Sequence, residues 1–355
     1  MKAEACLEEL SLLAATLGCR VAQTRVFKLA HFTPRYCIGT GQIELLKSLV
    51  EKHKAEAVLF DNELSPAQVT NLAEFLGVEI VSRTDVILRI FSLRAKTTIA
   101  KLQVELARLS FEYPRLKGKW STLSHTDSVV GKMGGPGETQ LEYGRRHARE
   151  RMHVIKQELK RAEQSKATGR RSRAAAFRVS LAGYTNAGKS TLFNALCREQ
   201  TYVENKLFAT LDTFTRKLYL SGVSTDIVLS DTVGFIERLP HLLVESFKST
   251  LAEIAEANII LHVADASRDD IDSVLATVES TLSEIGAGSV PTLLVFNKTD
   301  LITPLKRDGL AGRFPDALFV SALTRTGFDE LKETLKRHIL LPAADVTNEA
   351  APPAE

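Results

Sequence analysis

The densest chemical signal in the 355-residue chain is Gly183-Tyr184-Thr185-Asn186-Ala187-Gly188-Lys189-Ser190, a G-x-x-x-x-G-K-S pattern followed by Thr191. Such a loop turns its backbone N–H groups onto a phosphate chain at a helix N-terminus, where the helix dipole favours negative charge. Lys189 can then place its ammonium against the β- and γ-phosphates, and the Ser190 hydroxyl can ligate Mg²⁺. Farther on, Asp231 in the stretch SDTVGFIE ends an apolar run, from which its carboxylate can reach the Mg²⁺ shell through water. Gly234 in the same stretch can offer its N–H to a γ-phosphate. Between the two lies LFATLDTFTR, in which Thr210 is the best candidate to close onto Mg²⁺ when a triphosphate is bound, with Thr213 and Thr215 as competitors. Base choice is legible in Asn297-Lys298-Thr299-Asp300: a carboxylate at Asp300 accepts from the N1–H and exocyclic amine of guanine, which adenine cannot supply. Ser321, Ala322 and Leu323 can present backbone N–H to the guanine O6. The chemistry implied is GTP binding and phosphoryl transfer to water, carried by Lys189, Thr210 and Gly234. One position breaks the pattern. Phe235 follows Asp-x-x-Gly where many GTPases place a water-orienting Gln, so its ring is expected to turn aside and unassisted turnover to be slow.

Placing these residues requires strands that end at them and helices that start from them. From Phe177 onward such elements alternate: FRVSLAG, a helix from Gly188, RKLYLS, TDIVLSD, a helix near 243–254, NIILHVAD, a helix near 270–285, PTLLVFNK, ALFVSA and a helix from Gly327. That alternation predicts a mainly parallel sheet with helices on both faces, over 177–341. The preceding region reads as a small α/β layer over 1–93, with a helix at 3–17, a strand at 20–27, a helix at 41–54, the strand AEAVLFD, a helix from Pro66 to Gly77 and the strand VEIVS. Over 94–165 the pattern becomes helical. Ile99, Leu102, Leu106 and Leu109 form a stripe on a helix expected to end near Pro114. After the Gly-rich loop KMGGPGETQ, a second helix from Gln140 to Ser165 carries Leu141, Met152, Ile155 and Leu159 toward that stripe. The pair reads as a helical hairpin with a Gly-rich tip. Residues 166–176 are small and basic, as in a linker, and 342–355 lack aliphatic periodicity, as in a disordered tail.

Composition narrows the class. With 44% hydrophobic and 25% charged residues the chain is globular and long enough for two domains. The four cysteines show no C-x-x-C spacing, and neither a membrane-length apolar run nor a signal-like N-terminus is present, so the expected setting is the cytoplasm with reduced thiols. A monomer is the default. The net charge of +3 conceals a basic run: Arg145, Arg146, Arg149, Arg151, Lys156, Lys160, Arg161, Lys166, Arg170, Arg171 and Arg173 stand against three glutamates. That run is either a solvated helix face or a contact for RNA phosphates.

Nearly the whole chain resembles the HflX GTPases, on residues outside the nucleotide pattern: Ile38-Gly39-Thr40-Gly41, FDNELSPAQ at 60–68, RTDVILRIF at 83–91, RAKTTIAKLQVELARL at 94–109 and GGPGETQLE at 134–142. The resemblance implies a GTPase that docks on the 50S ribosomal subunit and its 23S rRNA, reaches toward the peptidyl-transferase region with the hairpin, and helps split stalled or idle 70S ribosomes. It also brings an ATP-driven RNA-remodelling activity of residues 1–165 into view, and, as a competing reading, an assembly or hibernation factor in which GTP only switches affinity. Similar GTPases with an Asn at the position of Asn186 hold K⁺ beside the phosphates; the alternative is that Asn186 only shapes the loop. Departures are specific. Gln42 stands where Lys is common, Thr213-Phe214 replaces Pro-Thr after Asp212, and GKMGGPGE lacks an Arg that similar proteins carry at the hairpin tip. Similar proteins also begin with a strand before the first helix, so the first sheet is expected to lack an edge strand or the chain to be truncated.

Overall fold

The computed structural model describes residues 2–29, 31–123, 140–171, 176–197, 208, 214–236, 243 and 246–340; for 2, 116–123, 140–141, 163, 165–171 and 248–250 it gives backbone only. Two compact units divide the chain, one of residues 1–165 with 240–246, the other of 166–239 with 247–355.

In the first unit, α1 (Lys2–Thr16), α2 (Thr40–His53), α3 (Pro66–Leu76) and α4 (Arg83–Arg94) surround a two-stranded parallel sheet of β1 (Ala57–Phe60) and β2 (Glu79–Ser82). Local chemistry fixes each helix start. Ser65 accepts from the Gln68 N–H while the Gln68 side chain returns to the Ser65 N–H at 2.9 Å, and Pro66 occupies the first turn, where no N–H is needed. Gly77, at φ 68°, ends the same helix in the left-handed conformation that glycine adopts without strain. Ser82 and Asp85 form a second reciprocal cap at α4. Ile43, Leu64, Leu72, Leu76 and Ile80 make the core beneath these elements.

Residues 20–27, where a strand is expected, have no regular structure, and Val21 and Val26 are exposed. An alternating pattern stabilises a strand only when a neighbour takes its hydrogen bonds, and among the described residues this sheet has two strands. A second difference concerns Pro114. The helix α5 runs from Thr98 to Leu123 straight through it. Arg115 lies over the Phe111 ring one turn back in the same helix at 3.7 Å and pairs with Asp85 of α4 at 3.2 Å, so a contact that spans the proline and a tertiary ion pair just beyond it hold the helix where propensity alone would stop it.

The partner helix α6 spans Gln140–Arg171, and Leu106 on α5 packs with Met152, Ile155 and Leu159 on α6, with Ile99, Leu102 and Leu109 beside them. The helical backbone therefore continues through 166–171, where the sequence reads as a linker; no proline interrupts it. The loop 134–139, the side chain of Leu141 and the tail 342–355 lie outside the described residues.

The residues that carry the family resemblance hold this unit together. Arg83, almost fully buried, pairs with Glu9 of α1 and with Asp61 after β1, at 3.0 Å to the latter. Thr84 bonds Glu63, and Arg115 reaches Glu63 and Asp85. A buried guanidinium is tolerable only with such partners, so FDNEL and RTD lock α1, β1, α4 and α5 in register.

The second unit is a six-stranded sheet in the order β4-β5-β3-β6-β7-β8, where β3 is Phe177–Ala182, β4 Phe214–Leu218, β5 Ile227–Asp231, β6 Ile259–Asp265, β7 Thr292–Asn297 and β8 Leu318–Phe319. Among the described residues only the β4–β5 pair is antiparallel, so the sheet is mainly parallel as the alternation predicts. Its helices are α7 (Lys189–Cys197), α8 (Lys248–Ala255), α9 (Ile271–Glu284), α10 (Pro304–Arg313) and α11 (Phe328–Leu340). Leu181, Leu229, Leu261, Val263 and Val295 from four strands pack with Leu192 of α7 and Leu331 of α11. Phe296 stacks between Phe314 and Phe319 on the opposite face. The central parallel strands are mostly apolar because helices cover both sides, with Ser180 and His262 buried among them.

Candidate functional site: a nucleotide cradle at the strand ends

In an open parallel sheet the strand C-termini face a shared crevice, and here β3, β5, β7 and β8 all end at residues singled out above. The chain leaves β3 at Gly183, which has φ 151°; a Cβ there would meet the Val263 carbonyl oxygen at 2.2 Å. Asn186 takes the left-handed conformation at φ 63° and is exposed, while Thr185 and Ala187 are buried. Gly188 at φ 88° opens α7, and a side chain there would strike Asn297 Nδ2 at 2.3 Å. The loop is shaped by its glycines and by the strand beside it.

Lys189 is buried beneath this loop, and its ammonium donates to the carbonyls of Gly183 and Tyr184, at 2.9 Å each. Burial pushes its pKa down to about 8 against the pull of Asp231. The Ser190 hydroxyl donates to Asp231 Oδ2 at 2.6 Å, which brings together two oxygen ligands of the kind Mg²⁺ takes. Thr191 follows in the first turn of α7, half-buried.

The stretch after Asp231 lies on the loop. The Phe235 N–H donates to the Gly183 carbonyl at 3.0 Å and the Phe235 carbonyl accepts from the Thr185 N–H at 2.7 Å, a parallel bridge between Tyr184 and Phe235. The Phe235 ring is 1% exposed, turned into the core. Gly234 sits so close that a Cβ would lie 3.0 Å from the Lys189 ammonium. Thr232 is anchored from below by a 2.6 Å bond to the Leu181 carbonyl. No polar side chain at position 235 faces the phosphate side.

On the base side, Asn297 at the end of β7 donates to the Ala187 carbonyl and accepts from the Ala322 N–H, both at 2.9 Å, tying the phosphate loop to the turn after β8. The Ala322 N–H, expected to face the base, is thus engaged by Asn297. Lys298, in the left-handed conformation, pairs with Asp265 at 2.7 Å and runs its stem past Gly188. Asp300 is exposed in a short 3-10 turn over Thr299–Leu301 and accepts from Ser321 Oγ at 2.5 Å. Thr215 pairs with Ser230 across β4 and β5, which places it in a strand; Thr210 and Thr213 lie outside the described residues.

His262 was not legible from sequence as a site residue. On β6 it stands in register with Ala182, the residue before the phosphate loop, and is 3% exposed. Its Nε2 has no hydrogen-bond partner, and burial, then the nearby Lys189 charge, push its pKa down to about 4. A histidine inside IILHVAD reads as core; only the sheet register shows it beside the loop.

With Asn297 joining the two halves, phosphate and base positions form one site, and its class is that of the P-loop GTPases. Three family models match consecutive stretches: GTP-binding GTPase N-terminal over residues 4–92, GTP-binding GTPase Middle Region over 94–173, and 50S ribosome-binding GTPase over 178–298. The GTPase HflX of Caldanaerobacter subterraneus subsp. tengcongensis is 43% identical over 95% of this chain and 77% of its own length. That of Escherichia coli is 40% identical over 94% and 79%. A GTP-binding protein of Sulfolobus solfataricus, solved in complex with GDP, is 23% identical with a TM-score of 0.47, covering 93% of this chain and 94% of its own. The chain belongs to the HflX family of GTPases: its nucleotides are GTP and GDP, and its reaction is GTP hydrolysis.

Proposed function

We propose that this GTPase acts on the 50S subunit in the cytoplasm, as a monomer, and uses GTP to split stalled or idle 70S ribosomes. One observation carries the reading: the residue after Asp-x-x-Gly is a phenylalanine packed in the core, so the site has no side chain of its own there to orient water. Catalysis of phosphoryl transfer is positioning plus charge, and positioning must then come from a partner that reorders the 231–236 segment. The description of the matching family model supports a 50S partner.

In this reading Lys189 holds the β- and γ-phosphates, and Gly234, released from the loop, offers its N–H to the γ-phosphate. Ser190, Thr210 and, through water, Asp231 would hold Mg²⁺, which would supply charge neutralisation to the phosphates. Asp300 reads the guanine N–H groups, with Asn297 and Lys298 framing the base and Ser321 and Ala322 closing it. Asn186, exposed at the phosphate side, is the residue for a K⁺ contribution, which exchange of K⁺ for Na⁺ would reveal. The basic face of α6 takes 23S rRNA phosphates.

The test is sedimentation of 70S ribosomes incubated with the protein and GTP. Conversion to 50S and 30S peaks is expected, and none with Lys189→Ala. Intact 70S particles together with nucleotide-dependent 50S binding would contradict splitting and favour the affinity-switch reading.

A further inference from the structure

Between α5 and α6, beyond the Met152, Ile155 and Leu159 contacts that seal the hairpin, the two helices part around a slot of about 410 Å³. That volume falls within the roughly 300–1,000 Å³ of small-ligand sites. Leu109, Glu112 and Tyr113 form the α5 wall, and Tyr143, Gly144 and His147 face them from α6. Gly144 is inside a helix, where glycine costs about 1 kcal/mol relative to alanine. Among the described residues no atom beyond its own helical turn lies within 4 Å of a Cβ built there, so their packing does not demand it. Glycine leaves the slot open.

The walls are aromatic and the rim is cationic. Tyr143 is 56% exposed, with the His147 ring 6.4 Å away at 37° and the Arg146 guanidinium 5.7 Å from its centroid. Tyr113 accepts from Arg149 at 2.7 Å and from Arg145 at 3.4 Å, and both guanidiniums lie over its ring, so they are held at the slot. A free anion would need no aromatic walls, and an apolar side chain would need no guanidiniums. A planar ring bearing a phosphate needs both. The charges also continue past the slot: Arg145, Arg149, Lys156 and Lys160 recur at helical spacing on one face of α6. They span about 22 Å at 1.5 Å per residue, longer than a mononucleotide.

We propose that this slot holds the unstacked base of a single-stranded RNA nucleotide, with the neighbouring phosphates following the α6 face. Tyr143 and His147 supply the stacking platform, Arg145 and Arg149 the adjacent phosphate contacts, and Glu112 an acceptor for base N–H groups. This deepens the RNA reading of the hairpin given above.

The experiment is fluorescence anisotropy of the full chain with a labelled hexaribonucleotide, the same hexamer in a duplex, and an abasic hexamer. The single strand is expected to bind more tightly than either control. Tyr143→Ala should weaken it by roughly 5- to 100-fold, as loss of one stacked base does. Tyr143→Trp should retain binding, and both variants should keep basal GTP turnover. Equal binding of the abasic strand, an unaffected Tyr143→Ala, or displacement of the hexamer by AMP at the hexamer's own concentration would overturn the proposal. Measuring 50S binding on the same samples separates the two readings. Lost 50S binding with base-dependent RNA binding retained sinks only the ribosomal partner; retained 50S binding with no base dependence sinks only the slot.

Discussion

Phe235 and Lys189 define what the site does alone. The phenylalanine ties the 231–236 segment to the phosphate loop through its backbone, and the lysine waits beneath that loop as a buried cation. His262 adds a measurable consequence. Its pKa falls from 6.5 to about 4 on folding, so as pH drops below 6.5 the unfolded chain takes up a proton that the folded chain refuses. The contribution is whole above pH 6.5 and lost as pH falls toward 4, by about 3 kcal/mol. Urea unfolding of the nucleotide-free protein across that range should show His262→Leu losing less stability than wild type by about that amount. Equal losses would mean that His262 titrates freely in the folded protein. The phosphate loop and the Asn-Lys-x-Asp turn were legible because spacing alone identifies them; His262 was not, since its role depends on which strand lies next to β3.

At the scale of elements, the hairpin shows what sequence periodicity does and does not reveal. The stripe from Ile99 to Leu109 and its partners on α6 were visible as three-to-four spacing, and they pack together. The passage of α5 through Pro114 was not visible, because it depends on Arg115 meeting Asp85, thirty positions away in sequence. The expected strand at 20–27 failed for a similar reason: alternation says nothing about whether a neighbouring strand exists. Ile155, fully buried between the helices, is where the hairpin is most sensitive. Ile155→Ala should destabilise the first unit by about 2–5 kcal/mol in thermal or urea unfolding. The nucleotide site is built wholly from residues of the second unit, so basal GTP turnover should be unchanged. A parallel fall in basal turnover would show the hairpin to be part of the catalytic apparatus.

The whole chain combines a nucleotide site with no water-orienting side chain after Asp-x-x-Gly and a basic helical hairpin, and its GTPase domain matches a family model described as ribosome-binding. Each unit has its own core, and the division of labour we propose for them is recognition in the first and hydrolysis in the second. Family membership was legible from motifs outside the nucleotide pattern, and two of them, FDNEL and RTD, supply ion pairs that brace the first unit. Whether a partner completes the active site is decided by steady-state GTP turnover of the purified protein with Mg²⁺ and K⁺, alone, with saturating 50S subunits, and with 30S subunits. Slow turnover alone, strong stimulation by 50S, none by 30S and none with Lys189→Ala is the predicted result. Turnover that is already fast without ribosomes, or equal with both subunits, would contradict a partner-completed active site.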